Sequence, residues 1–146
     1  MLLANEIRDQ IPVYVGQKGP ILKTTSIEKA YWFGQDGLHD VPDVDPPSSD
    51  VTDDMIQDEP AVMALIRLIN ANVGEVDLIA IGPLTNIAVA LNLDPSIAQK
   101  LKSFTVMGGN IYSLGNADNY LAEYNFYLDP DAAFVALERL VPNVSI

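Results

Sequence analysis

The residues best suited to chemistry fall into three groups in the second half of the chain. Thr85 and Asn86 close the run Gly82-Pro83-Leu84-Thr85-Asn86, which follows an apolar stretch and opens a helix-like one. Thr85 has two readings. It is a helix N-cap, or its side-chain or carbonyl oxygen is a ligand for a hard cation such as calcium, which takes about six to eight oxygens, backbone carbonyls included. Met107-Gly108-Gly109-Asn110 ends a second apolar stretch. It is a tight turn, or a place where missing side chains let a ligand approach the backbone closely. Its spacing is not the G-x-G-x-x-G of a dinucleotide site. Asn116, Glu123 and Asn125 form the third group. Each alone reads as a turn or surface residue. Together, one carboxylate acceptor and two amides match the paired hydrogen bonds that a polyhydroxylated sugar requires.

Two further features resemble sites less well. Residues 43–50, Asp-Val-Asp-Pro-Pro-Ser-Ser-Asp, space their acids as a metal loop would, but the prolines favour a solvated loop. His39 is the only histidine and follows a Gly-rich turn, so no Ser-His-Asp arrangement can be built on it. Cysteine is absent, which removes thiol nucleophiles, thiolate metal sites and disulfides.

These groups need elements to hold them. Residues 1–8 read as the last turns of a helix, and residues 11–15 as a short strand closed by Gly16. Residues 40–59 carry eight acidic residues and three prolines and read as a loop. A helix is expected from about Asp58 as N-cap, with Pro60 in its first turn, Val62, Leu65, Ile66 and Ile69 as its buried stripe and Gly74 as its stop. Residues 76–81 are nearly all apolar, which predicts a strand buried on both faces. Residues 86–91 are expected to be helical, Asp94-Pro95 to cap a second short helix, and residues 104–107 to form the next strand. Asp129-Pro130 should start a last helix, with Pro142 ending the regular part. Strands alternating with helices predict an α/β fold: a mostly parallel open sheet with helices on both faces, in one domain. Ligands of such sheets bind beyond the carboxyl ends of the strands, where the two Gly-containing turns fall.

The 146 residues include 20 acidic and 8 basic ones, a formal charge of −12. That balance opposes nucleic acid or an anionic membrane surface as partner, since both need clustered Lys and Arg. No apolar run is long enough to span a bilayer, and the first ten residues lack the features of a signal peptide. Together with the lack of cysteine, this favours a cytoplasmic location.

The runs IGPLTNIAVAL, FTVMGGN, Gly115-Asn116 and AEYNFYLDPDAA, with IPVYVG and FGQDGL upstream, resemble the inosine-uridine-type nucleoside hydrolases in order and spacing. The likeness covers most of residues 11–137. It implies an open α/β fold and hydrolysis of the N-glycosidic bond of ribonucleosides to ribose and free base. It also implies a calcium ion that holds the ribose hydroxyls and the attacking water. Carried over position by position, Thr85 resembles the calcium-ligating threonine, acting through its carbonyl. Met107, Asn116, Glu123 and Asn125 resemble the ribose-side residues. A truncated sheet of this kind should expose apolar edges and faces, which makes association into a homo-oligomer an expectation.

The family's Asp-rich motif, D-x-D-x-G-x-D-D, should precede residue 11, and its His-Asp pair should follow residue 146. Neither is in this sequence. Phe33 and His39 also stand where the family has His and Gly. The resemblance therefore implies a segment incomplete at both ends and inactive, or nearly so, by itself. The alternative is a non-catalytic relative that binds a sugar or a protein.

Overall fold

The computed structural model describes residues 11–22, 56–117, 121–140 and 144–145. The expected helix at residues 1–8, His39, and the acidic run at 43–50 lie outside the described residues. Two short strands, β1 (Val13–Tyr14) and β2 (Ile56–Gln57), pair in parallel. Then come α1 (Ala61–Ala71), β3 (Asp77–Ala80), α2 (Thr85–Leu93), a 3-10 turn (Pro95–Gln99), β4 (Ser103–Val106), α3 (Tyr124–Leu128), α4 (Pro130–Leu140) and β5 (Val144–Ser145). β3, β4 and β5 form a parallel sheet in that order. Parallel neighbours need a crossover, and α2 with the 3-10 turn supplies the one between β3 and β4. The α/β, parallel reading of the sequence holds.

The register pairs Leu78 with Phe104 and Ala80 with Val106. Alternation places these four side chains on one face, where they join a core made with Val62, Ile69, Leu84, Leu91, Ile97, Ala132, Ala136 and Leu140. The described helices pack on this face. The opposite face carries Ile79 and Ile81, 67% and 71% exposed, with exposed Thr105 and Met107 beside them. The strand at 76–81 is therefore not buried on both faces, as its composition predicted. A continuous apolar run states only that both faces tolerate burial, and a second covering layer is not seen among the described residues.

Helix boundaries follow local chemistry with one correction, at the start of α1. α1 begins at Ala61 with Pro60, not Asp58, at the cap position. The Pro60 carbonyl accepts from the N–H groups of Met63 and Ala64, and no side chain caps this end. The stripe Val62, Leu65, Ile66 and Ile69 packs into or against the core as expected. Past the end of α1, Gly74 takes φ +75°, a left-handed conformation that glycine adopts without strain. β2 emerges from what the sequence presents as acidic loop, and β5 follows Pro142, where no regular structure was expected.

Asp94 caps the 3-10 turn, accepting from the Ser96 N–H at 3.0 Å and from Asn70 Nδ2 at 2.9 Å. Asp77 accepts from Lys102 Nζ at 2.8 Å and Ser103 Oγ at 2.5 Å. The hydrogen bond from Asn70 holds the Asp94 carboxyl below its usual range, and that from Lys102 does the same for Asp77. A depressed carboxyl pKa stabilises the folded state above the unfolded-state pKa, and this contribution is lost as pH falls through the folded value. The melting temperature should therefore drop as pH falls below the ordinary range of a free Asp carboxyl, about 4. The Asp94→Asn variant should show a shallower drop in circular-dichroism melts, and an identical slope would contradict the assignment.

Candidate functional site

The polar residues of the third group gather around the start of α3. Glu123 is the N-cap of this helix. Its Oε1 accepts from the Asn125 N–H at 2.9 Å, and its Oε2 accepts from the N–H groups of Phe126 at 3.1 Å and Gly109 at 3.2 Å. Asn116 Oδ1 accepts from the Tyr124 N–H at 2.8 Å. Two side chains thus satisfy three consecutive amides that a helix start leaves without intrahelical partners. The Glu123 carboxylate also ties the Gly108-Gly109 turn to α3. That turn needs its glycines for a reason visible within the fold: a Cβ on Gly108 would overlap the Phe126 ring, and Gly109 sits at φ +73°.

Asn125, 8% exposed, lies one residue inside α3. Its Nδ2 donates to the Met107 carbonyl at 2.8 Å. A carbonyl partner can only face the NH2 end of an amide, so Oδ1 is the end left to accept, and no hydrogen bond from the described residues reaches it. Met107 closes β4, its N–H donates to the Ala80 carbonyl, and its side chain is exposed. Asn116 is oriented the opposite way: its Oδ1 is engaged and its NH2 remains a donor. The cluster therefore offers carboxylate and amide acceptors beside one amide donor, a set suited to hydroxyl groups, which both donate and accept. The loop leading into it is closed by Asn110 Nδ2 donating to the Leu121 carbonyl and the Ala117 N–H donating to the Ala122 carbonyl.

Thr85 sits at the other end of α3. α2 begins at Thr85 itself, with Leu84 at the cap position and no side-chain cap, so the N-cap reading of Thr85 fails. Its hydroxyl instead donates to Asp129 Oδ2 at 2.6 Å. The same Oδ2 accepts from the Ile21 N–H at 3.0 Å, while Oδ1 accepts from the Ala132 N–H at 3.0 Å. Asp129 is 1% exposed and is the residue between α3 and α4. From the sequence alone, Asp129 reads only as a helix start. Next to Thr85 in the chain, Asn86 Oδ1 accepts from the Gln17 N–H at 2.8 Å, and Gly16 lies so close that a Cβ there would come within 2.6 Å of Asn86 Nδ2.

Met107, Asn116, Glu123 and Asn125 are thus brought together, and Thr85 is joined to them through Asp129 and α3. Among the described residues no three His, Cys, Asp or Glu side chains converge on a metal-sized site. A single Thr85 carbonyl would fall far short of the oxygens calcium takes. The described residues do not by themselves fit a calcium ion.

The sequence profile of the inosine-uridine preferring nucleoside hydrolases matches residues 1–146. The chain belongs to this family. Among curated nucleoside hydrolases, the pyrimidine-specific ribonucleoside hydrolase RihB of Escherichia coli O1:K1 is 31% identical over 142 residues, which is 97% of this chain and 42% of the relative. Among solved nucleoside hydrolases, the plant enzyme PpNRh1 superposes with a TM-score of 0.77 at 32% identity, over 94% of this chain and 42% of that one. An inosine-guanosine nucleoside hydrolase superposes with a TM-score of 0.74 at 30% identity, over 92% and 41% respectively. The chain spans about two fifths of the length of these relatives. Among the described residues no helix is long and apolar enough to cross a membrane.

Proposed function

We propose that this chain forms the ribose-holding part of a ribonucleoside hydrolase site, with Asn125 as its central sugar contact. The observation that supports this reading is the orientation of Asn125, whose Nδ2 is committed to the Met107 carbonyl so that Oδ1 is the end left to accept. Asn125 Oδ1 and the Glu123 carboxylate would accept from ribose hydroxyls, and the Asn116 NH2 would donate to one. Cleavage of an N-glycosidic bond passes through an oxocarbenium-like state, and a firmly oriented sugar with negative charge nearby favours it. The Glu123 carboxylate supplies such charge, and its three backbone donors hold it in place.

Calcium is proposed as the cofactor of a site larger than the described residues, with the Thr85 carbonyl as one of its oxygens. A bound cation supplies water activation and charge stabilisation. The residues described here would bind and orient the sugar. We expect the 146-residue chain alone to bind a ribonucleoside without hydrolysing it. The test is a calorimetric titration with inosine or uridine alongside a base-release assay in calcium. Turnover comparable to a complete nucleoside hydrolase would overturn the inactivity, and absence of any binding would overturn the ribose-holding role.

A further inference from the structure

Asp129 is a fully buried carboxylate that the sugar contacts do not use. Burying a charged group is costly, and its retention calls for an explanation. Capping α4 explains only half of it. The bond from the Ala132 N–H to Oδ1 is a helix-cap bond, and a neutral Asn or Ser would cap as well. Oδ2 makes no contact with α4 in that role. It collects the Thr85 hydroxyl and the Ile21 N–H, from segments 44 and 108 residues away. The site helix α3 is only five residues long and ends at this carboxylate, while its other end is held by Glu123 and Asn116. Asn125 lies between the two anchors. A slip at the Asp129 end would carry the Asn125 amide away from the Met107 carbonyl that orients it.

We infer that Asp129 is a positioning residue for the sugar site: by locking the Thr85 hydroxyl and the Ile21 amide to the end of α3, it sets the angle at which Asn125 meets its ligand. This rests on the ribose-holding reading above. It adds a residue that touches no substrate and acts through α3.

Three variants test it. Asp129→Asn keeps the side-chain size and one acceptor oxygen, and Thr85→Val removes the partner hydroxyl. Asp94→Ala removes a capping carboxylate from the 3-10 turn, away from the site, and serves as the control for lost stability alone. With inosine or uridine as the probe, well below each melting temperature, Asp129→Asn and Thr85→Val should each bind about tenfold more weakly. The double variant should be no weaker than the poorer single one, because both remove the same lock. Asp94→Ala should bind as the wild type does. Unchanged affinity in both single variants, or losses that multiply in the double variant, would overturn the inference. If Asp129→Asn does not fold, Thr85→Val alone decides, with unchanged affinity overturning the inference. If the wild-type chain binds neither nucleoside, the ribose-holding reading fails and the inference is decided in the free chain. The Asn125 side-chain amide resonances should then move in Asp129→Asn and Thr85→Val but not in Asp94→Ala. Resonances that stay put would overturn it.

Discussion

Replacing Asp129 by alanine is expected to lower the unfolding free energy by about 3–5 kcal/mol. The variant deletes both oxygens at once. It leaves the Thr85 hydroxyl, the Ile21 N–H and the Ala132 N–H without their acceptor. Each stranded donor costs roughly 1–3 kcal/mol where water cannot replace the lost partner. Release of the buried charge offsets part of this, which keeps the total below the simple sum. Urea denaturation followed by far-ultraviolet circular dichroism measures the effect. A loss below about 1 kcal/mol would mean that water reaches all three donors and that the site is less closed than its geometry indicates.

Gly115→Ala is expected to cost about 3 kcal/mol, a large effect for adding one methyl group. A Cβ at this position would overlap the backbone carbonyl of Ala122. Backbone atoms cannot swing aside as a flexible side chain does, so the two strands of the loop must separate. Separation breaks the bond from the Ala117 N–H to the Ala122 carbonyl and moves Asn116 away from the Tyr124 N–H that it caps. The consequence reaches beyond stability. Asn116 would lose the contact that leaves its NH2 facing a ligand, so nucleoside binding should weaken with the melting temperature. A variant that melts and binds as the wild type does would show that the loop has another way to close.

The elements that repeat a pattern were legible in the sequence. α2, β4 and α4 lie within a residue or two of where periodicity and Asp-Pro signals place them. The residues of the sugar cluster were also legible, as residue types. What they do within the fold was not. Nothing in the order of Asn116, Glu123 and Asn125 reveals that two of them cap the helix holding the third, since their partners are backbone amides common to every sequence. Thr85 illustrates the same limit. A threonine before a helical stretch reads as a cap by local rules, but its hydroxyl turned to a carboxylate 44 residues away. Asp129 reads only as a helix start, because Asp-Pro has a sufficient local explanation and burial cannot be read from one position. The exposed face of β3 shows the converse: Ile79 and Ile81 satisfy the composition of a buried strand while lying open among the described residues.

The hydrogen bonds of the segment after β1 have a consequence for synthesis. This stretch leaves the ribosome well before the side chains that hold it. Gln17 waits for Asn86, 69 residues on, and Ile21 waits for Asp129, 108 residues on. Closing loops of that length is entropically costly before any contact repays it. While the chain is being made, the turn after β1 therefore lacks its final partners until residues 86 and 129 have emerged. A growing chain that stalls before residue 129 would present this segment to chaperones and proteases.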